Sequence, residues 1–243
     1  DQAINVWAEE IELGVNPDAR VYALPCIAGH VGADTTAVVL SEGPHLSDEL
    51  RLIVDVGTNA EIVLGNRERL LACSSPTGPA FEGAQISCGQ RAAPGAIDRV
   101  RIDPETLEPK FRVIDCDAWS DAADFVPAVA KTGVTGICGS GIIEVIAEMF
   151  LAGILTADGL IDGAMAARSW RVVPDGRTFA YVLDQRAGRE IRITQNDVRA
   201  IQLAKAALYA GVRLLMDRLG VEEVDRITLA GAFGSHIDVK YAM

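Results

Sequence analysis

Arg51-Leu-Ile-Val-Asp55-Val-Gly57-Thr58-Asn59-Ala-Glu-Ile-Val-Leu64-Gly65 sets two apolar runs around a turn of Asp, Gly, Thr and Asn. The first run is short and β-branched, and Ala60 to Leu64 supplies the second, so Val56 to Asn59 must reverse the chain between two strands. That turn has the chemistry of a phosphate hairpin. Gly57 lets the backbone come close to a bound anion, Asp55 at the strand end can hold a hydrated Mg²⁺, and the Thr58 hydroxyl and turn amides can donate to phosphate oxygens. An ordinary β-hairpin with a solvated polar turn satisfies the same stretch, because D-x-G-T is a short pattern.

Working outward, Asn66 to Arg69 turns the chain again and Leu70 to Cys73 adds a third antiparallel strand. Upstream, Val21 to Leu24 is strand-like. Ala33 to Leu40 reads as a helix entered through Gly29 and Gly32 and ended at Gly43-Pro44,. Its Asp34 is either a cap or a polar site residue. Between Asp1 and Leu13 the spacing of Ile4, Trp7, Ala8 and Ile11 predicts a further helix, with Trp7 in the core,.

Downstream, Ser74 to Ala84 gathers small residues and glycines around Phe81 and Glu82, a composition suited to backbone approaching a ligand or to a plain surface loop,. Ala96 to Ile102 and Phe111 to Ile114 read as a peripheral hairpin. Gly133 to Gly141 is a second glycine-dense turn, opening an amphipathic helix over Ile142 to Leu151 that closes at Gly153. Its glycines suit either an anion at the helix end or close helix packing. Arg171 to Val173, Phe179 to Leu183 and Glu190 to Ile193 are strand-like. Thr194-Gln195-Asn196-Asp197 has the form of a capping box for the longest helix, running to about Leu219 and apolar on more than one side,. Arg226 to Ala230 then reads as a final buried strand, followed by a third glycine turn, Gly231-Ala232-Phe233-Gly234-Ser235.

With 243 residues and 49% hydrophobic content, the chain can bury a substantial core in one large domain or two small ones,. Lys and Arg number 22 against 34 Asp and Glu, a net charge of −12 without a basic run, which argues against a nucleic-acid partner,. No apolar stretch reaches the roughly 20 residues of a membrane span, and the expectation is a soluble cytoplasmic protein with no membrane partner. Cys26, Cys73, Cys88, Cys116 and Cys138 are odd in number and lack a C-x-x-C pair, so they read mostly as buried thiols rather than disulfides or zinc ligands,. Asp1 and Met243 read as the ends of a piece of something longer.

A strand hairpin carrying D-x-G-T, a long helix, and a strand ending in a small-Gly-x-x-Gly turn follow one another as in the second half of the actin, sugar-kinase and heat-shock ATPase fold. Leu24-Pro25 with Ile27-Ala28, Val31-Gly32-Ala33-Asp34, Asp55 to Gly65, Gly78-Pro-Ala-Phe-Glu-Gly83, Gly136-Ile-Cys-Gly-Ser-Gly141, Gln195-Asn-Asp197, Gln202-Leu-Ala-Lys205 and Leu229-Ala-Gly-Ala-Phe-Gly234 occur in sequence. Together they resemble the ATP-dependent reductive activators of corrinoid proteins over nearly the whole chain.

That resemblance implies an α/β, actin-like (ribonuclease H-like) ATPase fold. It makes 1–243 the C-terminal part of the ATPase domain, with an insertion at roughly 84–190; an N-terminal two-iron two-sulfur ferredoxin domain and the first ATPase half would lie outside this chain. Asp55 and Thr58 are then the catalytic residues, Asp55 holding Mg²⁺ through water. Gly57, Asn59, Lys205, Gly231, Ala232, Phe233 and Gly234 bind ATP, the last four as the adenosine turn and Lys205 beside the base or ribose. The implied partner is a corrinoid protein or methyltransferase whose cobalt(II) cofactor is reduced to cobalt(I), with a homodimer as a further expectation and this fragment alone inactive. Two other readings use the same turns: a sugar- or acyl-kinase-like phosphotransferase, and a non-enzymatic module that senses nucleotide or docks a partner.

Overall fold

The computed structural model describes residues 2–186 and 188–242. The amino-terminal part forms β1 (Ile4–Trp7), β2 (Arg20–Ala23), α1 (Ala33–Glu42), β3 (Arg51–Val56), β4 (Ala60–Gly65) and β5 (Leu70–Ser75). The middle forms β6 (Ala96–Ile102), β7 (Pro109–Val113), α2 (Phe125–Ala128), β8 (Gly136–Ile137), α3 (Gly139–Leu151), β9 (Val172–Asp175), β10 (Thr178–Asp184) and β11 (Ile191–Thr194). The long helix α4 (Gln195–Leu219) follows, then β12 (Arg226–Ala230) and two short helices, α5 (Gly231–Gly234) and α6 (Val239–Ala242). These elements fall into two compact units, one of 1–75 with 208–234 and one of 76–207 with 235–243.

The first unit is built on a four-stranded sheet in the order β12-β3-β4-β5. β3, β4 and β5 form the antiparallel meander that the hairpin predicts, while β12 runs parallel to β3 with Ala230 opposite Asp55. Leu52, Ile53, Val54, Ile62, Val63 and Leu64 are buried here, so both faces of β3 and β4 are apolar where they pass through the core,. The carboxyl half of α4 packs close to the sheet: a Cβ on Gly211 would lie 2.6 Å from Ile62 Cδ1 and 3.3 Å from Ser75. β12 is an edge strand with Ile227 57% exposed, so it is not the buried strand its composition suggests.

The helix expected over the first thirteen residues is replaced by a hairpin, and Asp1 lies outside the described residues. β1 pairs antiparallel with β2, and Trp7 stands directly opposite Arg20. The guanidinium sits 3.7 Å above the indole centroid, which gives Trp7 a cation–π partner on the surface rather than a place in the core,. Only Ala8 to Ile11 coil, as a short 3₁₀ turn.

The second unit carries two three-stranded sheets, β7-β6-β8 and β11-β10-β9. Its core contains Ile97, Val100, Phe111, Phe125, Ile137, Ile142, Met149 and Tyr181, so the β6–β7 hairpin expected at the periphery is central. Phe111 and Phe125 meet edge to face, centroids 5.8 Å apart,. Glycine lets α3 lie against β6, because a Cβ on Gly141 would run into the Ile97 carbonyl and stand 2.9 Å from Ile137 Cγ1. Gly136 and Gly141 of the Gly133–Gly141 turn are therefore accounted for by packing. Where β8 has ended, the amides of Val100 and Ile102 donate to Glu144 and Glu148 of α3, each at 2.9 Å, so buried carboxylates stand in for a neighbouring strand,.

The segment 77–84 is also a packed corner, with Ala80 and Phe81 buried and Gly83 at φ +83° against the Gln90 backbone. α4 starts with the expected box: Asp197 accepts from the Thr194 amide at 2.8 Å, and Thr194 Oγ1 accepts from the Asp197 amide at 3.2 Å,. Its apolar width is not fully covered, since Leu203, Tyr209 and Leu214 are exposed. Of the five cysteines only Cys138 is buried, and Cys26 is exposed.

Candidate functional site

The parallel pairing of β12 with β3 brings two turns to adjacent strand ends. After Asp55 and Val56 come Gly57, Thr58 and Asn59; after Ala230, in register with Asp55, come Gly231 to Gly234. In the first turn the Gly57 amide donates to the Asn59 carbonyl at 3.0 Å, and a Cβ on Gly57 would crowd that same oxygen at 3.2 Å. Thr58 and Asn59 are exposed, while Asp55 is half-buried. The second turn coils into the single helical turn α5. Gly231 there has φ +83°, and a Cβ on it would fall onto Asp55 Oδ1. The backbone of one turn is thus shaped around the carboxylate of the other, which no residue with a side chain permits.

Burial raises the Asp55 pKa above its ordinary value, and the charge of Asp34 raises it further,. Asp34 lies in the first turn of α1, where its Oδ1 accepts the Thr35 amide at 2.8 Å. At the other end of α1, Arg51 Nη1 donates to the Glu42 carbonyl at 3.0 Å. Helix α1 therefore runs antiparallel to β3, its amino end toward Asp55. A second acidic neighbour comes from the sheet itself. Glu61 stands directly opposite Asp55 and accepts the Ser74 hydroxyl at 3.0 Å. Like charges in directly opposed positions disfavour the folded state.

Sequence reasoning picks out Asp55, Gly57, Thr58, Asn59 and Gly231 to Gly234 as site residues, and the structure holds them at neighbouring ends of β3 and β12. It assigned no role to Glu61, although counting back from the turn pairs that residue with Asp55. Asp34 stood open between a cap and a site residue. The N-cap of α1 is Gly32, and the Asp34 charge is felt at Asp55. Lys205 is exposed on α4, in the portion belonging to the second unit. Gln195 and Asp197 have structural partners: Gln195 bridges the Ile161 amide and the Gly159 carbonyl, and Asp197 holds Ser87 as well as Thr194. Among the described residues no group of three or more His, Cys, Asp or Glu could hold a metal ion, and no helix is long and apolar enough to cross a membrane.

Residues 49–243 match the family model described as the C-terminal domain of RACo, the ASKHA domain, and residues 1–47 match the RACo middle region. Asp34 thus comes from the segment matching the middle region and Asp55 from the segment matching the C-terminal domain. The chain is 34% identical over 251 residues to the corrinoid activation enzyme RamQ of Eubacterium limosum, covering 99% of this chain and 39% of that protein. It is 30% identical over 234 residues to the Co(II) methylated amine-specific corrinoid protein reductase of Methanosarcina barkeri, covering 93% of this chain and 39% of that one. A solved structure of a reductive activator for corrinoid, iron–sulfur protein superposes with a TM-score of 0.79 at 36% identity, covering 98% of this chain and 36% of that chain. The chain spans 39% of the length of both curated relatives. Its mixed α/β fold is the actin-like one, and with the two models meeting at residue 48 the chain belongs to the RACo family, the corrinoid reductive activators.

Proposed function

We propose that this chain supplies the nucleotide-binding part of a cytoplasmic reductive activator, which uses ATP to drive one-electron reduction of a cobalt(II) corrinoid cofactor to cobalt(I) on a methyltransferase partner. The observation that carries the nucleotide reading is the pairing of β12 beside β3, with Gly231 moulded onto the Asp55 carboxylate. Asp55 holds Mg²⁺ through water, and Thr58, Asn59 and the amide-rich turn at Gly57 face the phosphates. Gly231, Ala232, Phe233 and Gly234 border the adenosine. Bound Mg²⁺ supplies charge neutralisation on the phosphates; the protein's share is positioning and fixed dipoles.

The corrinoid reading rests on the two relatives, whose names give corrinoid activation and corrinoid-protein reduction. Reduction to cobalt(I) is uphill for ordinary donors, so a differential binding energy has to be coupled to it, which a nucleotide-driven change of state provides. The electron comes from a two-iron two-sulfur domain outside this chain. The test uses the full-length protein with its corrinoid partner, following cobalt(I) formation by absorbance with and without Mg-ATP. Asp55→Ala is expected to abolish Mg-dependent ATP hydrolysis and ATP-dependent cobalt(I) formation while the variant stays folded. Unchanged turnover would remove Asp55 from the mechanism, and cobalt(I) formation indifferent to ATP would end the activator reading.

A further inference from the structure

In the antiparallel ribbon of β6 and β7, Arg99 stands directly opposite Arg112, and Arg101 directly opposite Lys110. All four lie on the face away from Val100, Phe111 and Val113, which are buried,. Two successive rungs of like charge weaken an isolated ribbon, and they occur in a chain of net charge −12. Compensation within the fold is uneven. Glu144 takes Arg99 and Arg101 at 2.9 and 2.6 Å, and Asp238 lies 3.9 Å from Arg101. Among the described residues Lys110 has only Asp121 as an ion-pair partner, 4.0 Å away, with both side chains about half exposed at 49% and 59%. Such a pair is worth little. Arg112 forms no ion pair among the described residues, and its Nε is enclosed without a hydrogen-bond partner.

Over these rungs lies an indole. Trp119 is held by its neighbour, since the Ser120 amide donates to the Phe111 carbonyl at 2.8 Å and Ser120 Oγ accepts the Phe111 amide at 3.0 Å. The ring centroid is 5.7 Å from Arg101 Cζ, 5.6 Å from Lys110 Nζ and 5.9 Å from Arg112 Cζ. A fixed aromatic among arginines is the composition of an interface centre rather than of a solvated surface.

We propose that the outward face of the β6–β7 ribbon, centred on Lys110, Arg112 and Trp119, is a docking surface for an acidic, carboxylate-bearing segment of a partner protein. A guanidinium fork matches a carboxylate in two parallel hydrogen bonds, and the indole supplies apolar contact beside it. Four cations in two rungs are too short a track for a nucleic-acid backbone, which the overall charge also repels.

The test is binding of a fluorescein-labelled oligoglutamate peptide to the full chain, read by anisotropy at low salt and at about 0.15 M, where the screening length is about 8 Å. The expected result is binding that weakens with salt and falls at least about tenfold in a Lys110→Glu, Arg112→Gln double variant of unchanged melting temperature. Arg112→Lys, which keeps the charge but loses the fork, is expected to fall between the two. No binding by the unaltered chain, equal binding by the double variant, or equally tight binding of a single-stranded DNA of the same charge would each overturn the proposal.

Discussion

At Gly231 two constraints coincide: a backbone φ of +83°, and an Asp55 oxygen in the space a Cβ would fill. Gly231→Ala must relieve both, by leaving the left-handed region or by pushing the carboxylate away. The expected cost is about 1–3 kcal/mol of stability, read by denaturant titration, together with a loss of Mg-ATP affinity larger than the stability change explains. A loop elsewhere tells a simpler story of the same kind. The Asp103 carboxyl is held below its ordinary value of 3.8, first by the Thr106 amide, then by the Thr106 hydroxyl and the Glu105 amide, with those contacts at 2.8, 3.0 and 2.9 Å. A depressed carboxyl pKa contributes stability above the unfolded value and loses it as pH falls through the folded one. Asp103→Asn should therefore melt lower than the unaltered chain at neutral pH. Melting curves below pH 3.8 should bring the two together; a gap constant with pH would show that the carboxylate charge plays no part.

Among the elements, α4 depends on one buried acid. Asp197 is 1% exposed and accepts four hydrogen bonds, from the amide and hydroxyl of Ser87 at 2.8 and 3.0 Å and from those of Thr194 at 2.8 and 2.9 Å. It caps the helix and ties the 83–90 corner to it at once. Asp197→Ala leaves four donors without their acceptor, so a loss of roughly 3 kcal/mol is expected; a loss below about 1 kcal/mol would mean that water replaces it freely. This box was legible because capping is local, and so were the β3–β4 hairpin and α3, whose periodicities are strong. The opening hairpin was not. Ile4, Trp7 and Ile11 carry a helical spacing, yet the segment pairs with β2, where Trp7 meets Arg20, a partner no local window contains. The exposure of β12 and of Leu203 on α4 was hidden for the same reason, since apolar composition does not say which neighbour arrives. In the site, Asp55 and Gly231 could be read from glycines at strand ends, whereas the influence of Asp34 depends on how α1 lies along β3.

For the molecule as a whole, the question is how much of a nucleotide site this chain carries. Of the contacts proposed here, the described residues contribute a strand-end carboxylate, one polar turn and one glycine turn at neighbouring ends of β3 and β12. The relatives are longer, and the chain spans 39% of each. In the proposed site, as in an actin-like fold, the nucleotide is held from two sides, so contacts from outside this chain would complete it, and each 1.4 kcal/mol of contact withheld weakens binding about tenfold. The chain by itself is therefore expected to bind Mg-ATP weakly and to hydrolyse it negligibly, while the full-length protein binds it tightly enough to turn over. Isothermal titration of both, beside a steady-state phosphate-release assay, measures the difference. Sub-micromolar affinity with steady turnover by the chain alone would mean that the Asp55 and Gly231 turns make a complete site without the rest.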